Sequence, residues 1–480
     1  MTAPAPHVTA IAPEFIGKTV RFAEIDKLHK YFCGTQYDGR PDFYTGKRPN
    51  GEVVPLRERK PAVRYPIEQN ATRELVRFTF GEGRFPALQV KPVDAATALG
   101  GLGLEDEDAK LAQQGVADIV DQAGLRMEMR QLQEVGLSRK TAVAIWCLRD
   151  GKFVVDNARP QDCLVTFVRT GDPSSPVAGL TICYQHETEV TDPKSWEPTC
   201  VRMWFRRDIT ATHDIRYVDE PVVQGQRPRW TIDEAQTVEH SFGFCPVVWT
   251  RNRPESYCGS IDGTSIYDGQ FDEIDALNFA LSQRHRGIVF FGTPQPYETG
   301  VEDDDGPEAS GRTAVVPGFS GGSAPFGGVC APSSARVSAP DRVWSYKSKD
   351  VSLGLIETTG KAFEVASKHV DDIGARLKQS MGVVLASAQD TLGKGDMSAK
   401  FLALVYAPML AFVDDLRECW WGACLKPLLE MALRIVMVRK GEGILIPRAA
   451  ELAALLAKRN VGDVWVPPAM TPVWGAYFSP

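Results

Sequence analysis

The sequence has few of the spacings that mark catalytic or metal-binding chemistry. Its ten cysteines (Cys33, Cys147, Cys163, Cys183, Cys200, Cys245, Cys258, Cys330, Cys419 and Cys424) are scattered, and no two stand in C-x-x-C spacing. That excludes zinc ribbons and thioredoxin-like motifs. A chain of 480 residues is large enough to hold together by burial, so the thiols read as buried and reduced rather than as disulfide staples. Only seven histidines are present and none forms H-E-x-x-H; His186-Glu187-Thr188-Glu189 has the wrong spacing for a helical zinc site. There is no G-x-S-x-G elbow. A phosphate-binding loop is approached only at Gly354–Lys361, where five residues separate the glycines and Ala362 stands where a magnesium-binding hydroxyl belongs. The acidic pairs Asp371-Asp372 and Asp414-Asp415 are adjacent on helical segments, so their carboxylates splay apart instead of forming an acid–base pair. Glu302–Gly306 reads as a solvated acidic turn, since the calcium-loop pattern is absent. The expectation is a protein without enzymatic activity, metal or cofactor.

Other classes fall away on composition. The formal charge of −7 argues against a protein that neutralises phosphates over a broad basic surface. The N-terminus, MTAPAPHVTAIAP, lacks the basic and then apolar regions of a signal peptide. No apolar run reaches the ~18 residues a membrane span needs; the best, Met431–Ile446, is interrupted by Arg434, Arg439, Lys440 and Glu442. What remains is 43% hydrophobic and 24% charged, the balance of a soluble globular chain made in the cytoplasm, and its length suggests two to four structural units.

Periodicity gives an α+β chain. Residues 1–20 read as a loose arm. Phe22, Ile25, Leu28 and Tyr31 recur at helical spacing and stop at Gly34. Ile67–Gly81 and Asp108–Val135 read as helices, the second with one stripe running from Leu111 through Val116, Ile119 and Leu125 to Met127, Met129 and Leu132. A hairpin follows around Asp150-Gly151, then strand-like runs at Leu164–Arg169, Leu180–Gln185, Val201–Phe205, Ile215–Val218 and Thr237–His240. Residues 141–250 therefore form a β-rich unit, arranged as a meander or small barrel. Helix resumes over Ile266–Gly287. Gly292–Lys349 is rich in Gly, Pro and Ser, with strand-like pieces at Thr313–Val316 and Val343–Tyr346, and reads as a compact β-tip. Val351–Gln379 is helical, with Leu355, Ile356, Phe363, Ala366, Val370, Ile373 and Leu377 on one stripe. Residues 382–396 form a loop with three glycines. Met397–Val438 forms the longest helix, kinked at Pro408 and Pro427. Leu452–Lys458 is a short helix and Val464–Phe478 a Pro-broken strand.

This order of elements resembles the portal proteins of tailed bacteriophages. His240–Asn252 (HSFGFCPVVWTRN) resembles the Gly-x-x-Pro turn and apolar strand that close the family's β-rich wing. Gly263–Gly300, with GTSIYDGQFDEIDALNFALS and VFFGTPQPY, is similar to its next helix and strand. Gly395-Asp-Met-Ser-Ala-Lys400 resembles the opening of its long helix, with Ala399 where many relatives have Gly. Leu28–Gly34 and Gly151–Leu164 resemble its early helix and the hairpin leading into the wing. The resemblance implies a portal fold: an arm (1–20), a wing (21–262, β-rich over 141–250), stem helix 1 (263–290), an α/β clip (291–350), stem helix 2 (351–380), a tunnel loop (381–397), a long kinked wing helix (398–440), and a C-terminal segment (441–480) with a reduced or absent crown.

The implied function is a ring, usually of twelve subunits, at one capsid vertex. Double-stranded DNA passes through it during packaging and ejection, and terminase and then neck or tail adaptors dock on it. The implied partners are further copies of the chain, DNA without sequence preference, the major capsid protein, terminase and head-completion proteins, with no membrane. The location is the virion, and the host cytoplasm during assembly. On this resemblance Lys361, Glu364, Lys368, Asp371 and Arg376 line the channel; Ser387, Gln389, Asp390, Thr391 and Lys394 belong to the tunnel loop; and Pro294, Tyr297, Phe326, Trp344 and Tyr346 form the docking surface of the clip. The competing expectations are a cytoplasmic α+β enzyme whose site has no recognisable motif, and a scaffold or adaptor protein that forms no channel.

Overall fold

A computed structural model describes residues 19–48, 50–81, 83–92, 104–191, 198–223, 226–240, 242–254, 260–291, 295–299, 352–356, 360–384, 399–461, 464–475 and 477. The fold is α+β. In chain order it runs α1 (Thr19–Cys33), α2 (Ile67–Phe80), β1 (Ala87–Val90), α3 (Asp106–Gln122), α4 (Leu125–Arg139), β2 (Thr141–Arg149) and β3 (Lys152–Ala158). There follow β4 (Cys163–Phe167), β5 (Val177–Thr191), β6 (Pro198–Ile209), β7 (His213–Arg216), β8 (Glu220–Pro221), β9 (Val238–Glu239) and β10 (Val247–Arg251). Next come α5 (Phe271–Phe291), β11 (Gln295–Thr299), β12 (Ser352–Ile356), α6 (Gly360–Ser380) and α7 (Ala399–Trp420). The chain closes with α8 (Lys426–Val438), α9 (Ala449–Ala457), β13 (Asn460–Val461), β14 (Val464–Trp465) and β15 (Met470–Val473). Two compact units are present. The first comprises Met1–Gln36, Pro66–Phe271 and Lys378–Pro480, the second Tyr37–Tyr65 and Asp272–Leu377.

In the first unit the expected helices are present, and their ends have local causes. The stripe Ile25, Leu28 and Tyr31 of α1 is buried. The helix stops where Gly34 takes φ +79°, so that the amides of Gly34 and Thr35 both reach the Lys30 carbonyl. The single helix expected over 108–135 is two. Gly124, at φ +60°, breaks it and resets the phase, burying Leu125, Met129 and Leu132 and leaving Met127 56% exposed. Asp150 and Gly151 both have positive φ, the I′ geometry that matches strand twist, and they close the β2–β3 hairpin.

The β-rich region is two sheets rather than one meander. β4, β5, β6, β7 and β9 form an antiparallel path with β8 paired to β6. The hairpin instead joins β10, about a hundred residues further on, with Val247 opposite Ile145 and Arg251 opposite Thr141. β2 is thus a central strand, and Thr141–Trp146 is buried on both faces. One face sends Val143, Ile145, Val247 and Trp249 against Val165, Leu180, Ile182 and Ile209 of the larger sheet. The other carries Trp146, whose indole N–H donates to the Leu428 carbonyl at 2.7 Å. Each such side chain contributes roughly 1.5–3 kcal/mol on full burial.

The long helix is uninterrupted at Pro408, which lies inside α7. Around Pro427 it changes pitch: Trp421–Leu425 is a π-turn between α7 and α8, with the Lys426 amide bonded to the Trp421 carbonyl. Proline donates no hydrogen bond and crowds the carbonyl four residues back. That carbonyl belongs to Ala423, and it accepts the buried Thr250 hydroxyl at 3.3 Å.

In the second unit residues 37–65 pack on α5 through buried polar side chains. Tyr37 donates its hydroxyl to Asp275 (2.6 Å), the Tyr65 amide donates to the Asn278 side-chain oxygen (2.8 Å), and the Val63 amide donates to Ser282 (3.0 Å). α5 begins at Phe271, not at Ile266; Ile266 and Tyr267 are buried in turns before it. Val351–Ile356 was expected in helix, yet Ser352–Ile356 is a strand, paired antiparallel with β11 so that Gln295 faces Ile356. Leu355 and Ile356 therefore leave the helical stripe, and α6 is 21 residues, about 32 Å instead of about 40 Å. The strand-like pieces at 313–316 and 343–346, residues 385–396 of the glycine loop, and the first two residues expected in the long helix, 397–398, lie outside the described residues.

Two glycines mark where the first unit is tightest. A Cβ on Gly136 would lie 2.5 Å from the Trp420 ring, and one on Gly263 would lie 2.0 Å from the Asn252 carbonyl oxygen. Gly136→Ala is expected to lower stability by about 1–3 kcal/mol, and Gly263→Ala by more, because it meets backbone. Urea unfolding followed by tryptophan fluorescence measures both; unchanged midpoints would show that the packing relaxes freely.

Candidate functional site

The channel-lining residues expected from sequence fall on α6. Val370, Ile373 and Leu377 form its buried stripe. Glu364, Lys368, Asp371 and Arg376 are exposed, together with Asp372, on an arc of about 140° at 100° per residue. Lys361 sits in the first turn, and its side chain lies outside the description. The exposed arc alternates in sign: Glu364, Asp371 and Asp372 against Lys368 and Arg376. Among the described residues no carboxylate lies within ion-pair distance of Lys368 or Arg376, so both cations face solvent. Val365 is 70% exposed on this helix, and Ile288 is 54% exposed on α5. The two helices approach closely where α5 has no side chain: a Cβ on Gly287 would stand 3.2 Å from the Phe363 ring.

The other expected groups are only partly described. Tyr297 lies in β11, opposite Gly354 of β12. Pro294, Phe326, Trp344 and Tyr346, and the loop residues Ser387, Gln389, Asp390, Thr391 and Lys394, lie outside the described residues. The thiols correct one expectation: Cys163, Cys183, Cys245 and Cys424 are buried, but Cys33 and Cys200 are exposed. Burial pushes the Cys245 and Cys424 thiols up to about 12, where they are inert. Among the described residues no group of three or more His, Cys, Asp or Glu is placed to hold a metal ion, and no helix is long and apolar enough to cross a membrane.

A polar cleft of about 400 Å³ was not anticipated. Asp156, Arg159, Asp162, Tyr184, Phe205 and Arg216 help to line it. At its floor Arg207 is held by Asp214 at 2.7 and 2.8 Å and by Asp156 at 3.0 Å. Burial works against the charge on Arg207, but the hydrogen bonds it donates to Asp214 outweigh it and raise the guanidinium above its usual value. Asp156 is likewise pushed up by burial and drawn further down by Arg207, ending below the usual carboxylate range. These groups come from three strands, and Asp214 meets Arg207 diagonally across the β6–β7 ladder. The only local signal was the charge alternation Arg206-Arg207-Asp208.

No protein-family model matches this chain, and no curated protein matches it.

Asp162 and His29 make this region sensitive to pH in opposite senses. Burial raises Asp162 to about 6, Arg159 and Arg139 only partly opposing it. Burial, and next Arg139, whose guanidinium donates to the imidazole Nδ1 at 2.8 Å, lowers His29 to about 4. Between pH 6.5 and about 4 the unfolded chain holds a proton on His29 that the folded chain does not, so acidification destabilises the fold. Between about 6 and 3.8 the folded chain holds a proton on Asp162 that the unfolded chain lacks, so acidification stabilises it. His29→Gln is therefore expected to shrink the loss of stability between about pH 7 and about pH 4.5, and Asp162→Asn to enlarge it. Denaturant midpoints at the two pH values measure this; shifts of the same sign in both variants would refute the assignment.

Proposed function

We propose that the chain is a portal subunit: one copy of a closed ring at a phage capsid vertex through which double-stranded DNA is packaged and ejected. The observation that carries this reading is the helix, strand pair, helix arrangement in the second unit. α5 and α6, each of 21 residues, lead into and out of the antiparallel pair β11–β12. A rod of this kind, about 32 Å long, suits a channel stem with a docking tip beyond it.

The chemistry of α6 supports the same reading. Its exposed arc is close to neutral, so a ring of such helices does not grip phosphate, and DNA slides. Lys368 and Arg376 touch phosphates only in passing. The exposed Val365 and Ile288 supply apolar contact for a neighbouring copy, in the head-to-tail manner that closes a ring when the rotation per subunit is right. The segment beyond β11 docks terminase during packaging and neck or tail adaptors afterwards, and the major capsid protein surrounds the ring. With no phosphate-binding loop in the sequence, the energy for translocation comes from the docked motor.

Analytical ultracentrifugation and negative-stain images of the purified chain are expected to show rings with an axial hole. A chain that stays monomeric or dimeric at every concentration, and when capsid protein is supplied, would sink the proposal. The neutral wall makes a second expectation. Glu364→Lys with Asp371→Lys adds four positive charges per subunit, and DNA retention by assembled particles is expected to become stronger and steeply salt-dependent. Retention and salt slope equal to those of the natural ring would mean that α6 does not face the DNA.

A further inference from the structure

The polar cleft floored by Arg207 has charge left over that the proposed function does not use. Around the floor four groups cancel. Arg207 donates to Asp214 and Asp156, and Asp156 also accepts from Arg149 at 2.6 and 2.7 Å. Two guanidiniums and two carboxylates thus make a neutral set. Arg159, Arg216 and Asp162 remain, and all three line the cleft. Among the described residues no carboxylate lies within ion-pair distance of Arg159 or Arg216, and no donor bonds the Asp162 carboxyl group.

The surroundings hold these cations in place without neutralising them. Arg216 lies over the Phe205 ring, 4.7 Å from its centre, and Phe205 stacks on Tyr184 at 4.7 Å. A guanidinium held over the face of a ring keeps its in-plane N–H fork for another group. Burial raises the Tyr184 hydroxyl, and the charges of Arg216 and Arg159 both oppose that rise, so both cations act on the aromatic wall. A cleft of about 400 Å³ has the size of a small-molecule site. Two unpaired arginines suit an anion with about two charges, and a phosphate monoester carries about −1.5 to −2 at neutral pH. Asp162 suits a hydrogen-bond donor on the same ligand, which a hydroxyl supplies.

We propose that this cleft binds a small phosphorylated polyol, with its phosphate on Arg159 and Arg216 and a hydroxyl donating to the Asp162 carboxylate. The Tyr184 hydroxyl, which has no partner among the described residues, adds a neutral donor. Every residue of the site belongs to the first unit. The inference is independent of the ring reading and holds for a monomer.

Isothermal titration calorimetry of the full-length chain with glycerol 3-phosphate tests it. Saturable binding is expected, tighter than that of inorganic phosphate and about tenfold tighter than that of glycerate, which offers one charge in place of two. Arg159→Gln and Arg216→Gln are each expected to weaken glycerol 3-phosphate about tenfold or more, through loss of one charge-assisted pair. Asp162→Ala is expected to erase the preference over inorganic phosphate while phosphate itself still binds. Arg169, 81% exposed and outside the cleft, is the control: Arg169→Gln leaves every affinity unchanged. Neither cleft arginine has a carboxylate to lose, so both variants are expected to melt like the natural chain; if one does not fold, the other decides. The proposal is overturned by no saturable binding up to about 10 mM glycerol 3-phosphate, by glycerate binding as tightly, or by arginine variants that bind like the natural chain. An equal loss in Arg169→Gln also overturns it, because the attraction would then belong to surface charge at large.

Discussion

Asn252 is fully buried at the end of β10, and both ends of its side-chain amide are used. The amide nitrogen donates to the Thr264 carbonyl at 2.6 Å, and the oxygen accepts the Trp420 indole at 3.1 Å. Its backbone bonds the Lys140 carbonyl on one side and the Thr264 amide on the other, at 2.8 and 2.7 Å. One residue thus joins the end of α4, the last β10 pairing, the approach to α5, and the end of α7. Leaving such a group unpaired costs about 1–3 kcal/mol per orphaned atom, so these four elements are fixed together or not at all. The neighbouring constraints follow. Gly263 must lack a side chain because it lies against Asn252, and Gly136 must lack one because Trp420 lies across it. Lys140 accepts a positive φ and lies between Glu24 and Asp268 at 2.5 and 2.7 Å.

The same junction explains the change of pitch in the long helix. Trp420 is pinned by Asn252, and Trp146 donates to the Leu428 carbonyl, so the helix is held on either side of Pro427. A regular α-helix would crowd the proline ring against the Ala423 carbonyl. One widened turn relieves that clash and turns the carbonyl to Thr250. The strand that ends at Asn252 therefore also supplies the hydroxyl that makes the π-turn tolerable. The widened turn leaves Gly422 open to solvent.

What could be read in the sequence was what is local. The stop at Gly34, the Asp150-Gly151 turn and the strands near 164, 180, 201, 215 and 238 all rest on neighbouring residues, and all are present. Glu364, Lys368, Asp371 and Arg376 were recognisable as exposed because a 3.6-residue period suffices to place them. Ser352–Ile356 was misread because a short run such as SLGLI fits either period. Pairing with β11, more than fifty residues earlier, decides it. Met127 was misplaced because one glycine with positive φ resets the phase of every later side chain. The union of β10 with β2, and the meeting of Asp156, Arg207 and Asp214, depend on which strands become neighbours, and no local pattern records that. The asparagine closing HSFGFCPVVWTRN was visible as a strand end, but not as the junction that it is.

The second unit raises a different question of stability. Among the described residues of α6 that precede Val370 none is buried, and Val365 is largely exposed. An isolated helix of about this length is marginal in water, because nucleation is unfavourable and propagation gains little per residue. Val370, Ile373 and Leu377 anchor one half only. If α6 stands in a ring, a neighbour covers what the subunit leaves bare, and ordering of that half and assembly become one equilibrium, concentration-dependent by mass action. Among the exposed residues of α6 the acids Glu364, Asp371 and Asp372 and the bases Lys368 and Arg376 share one arc with the uncharged Ala375 and Gln379, and Val365 stands on that arc between Asp372 and Arg376.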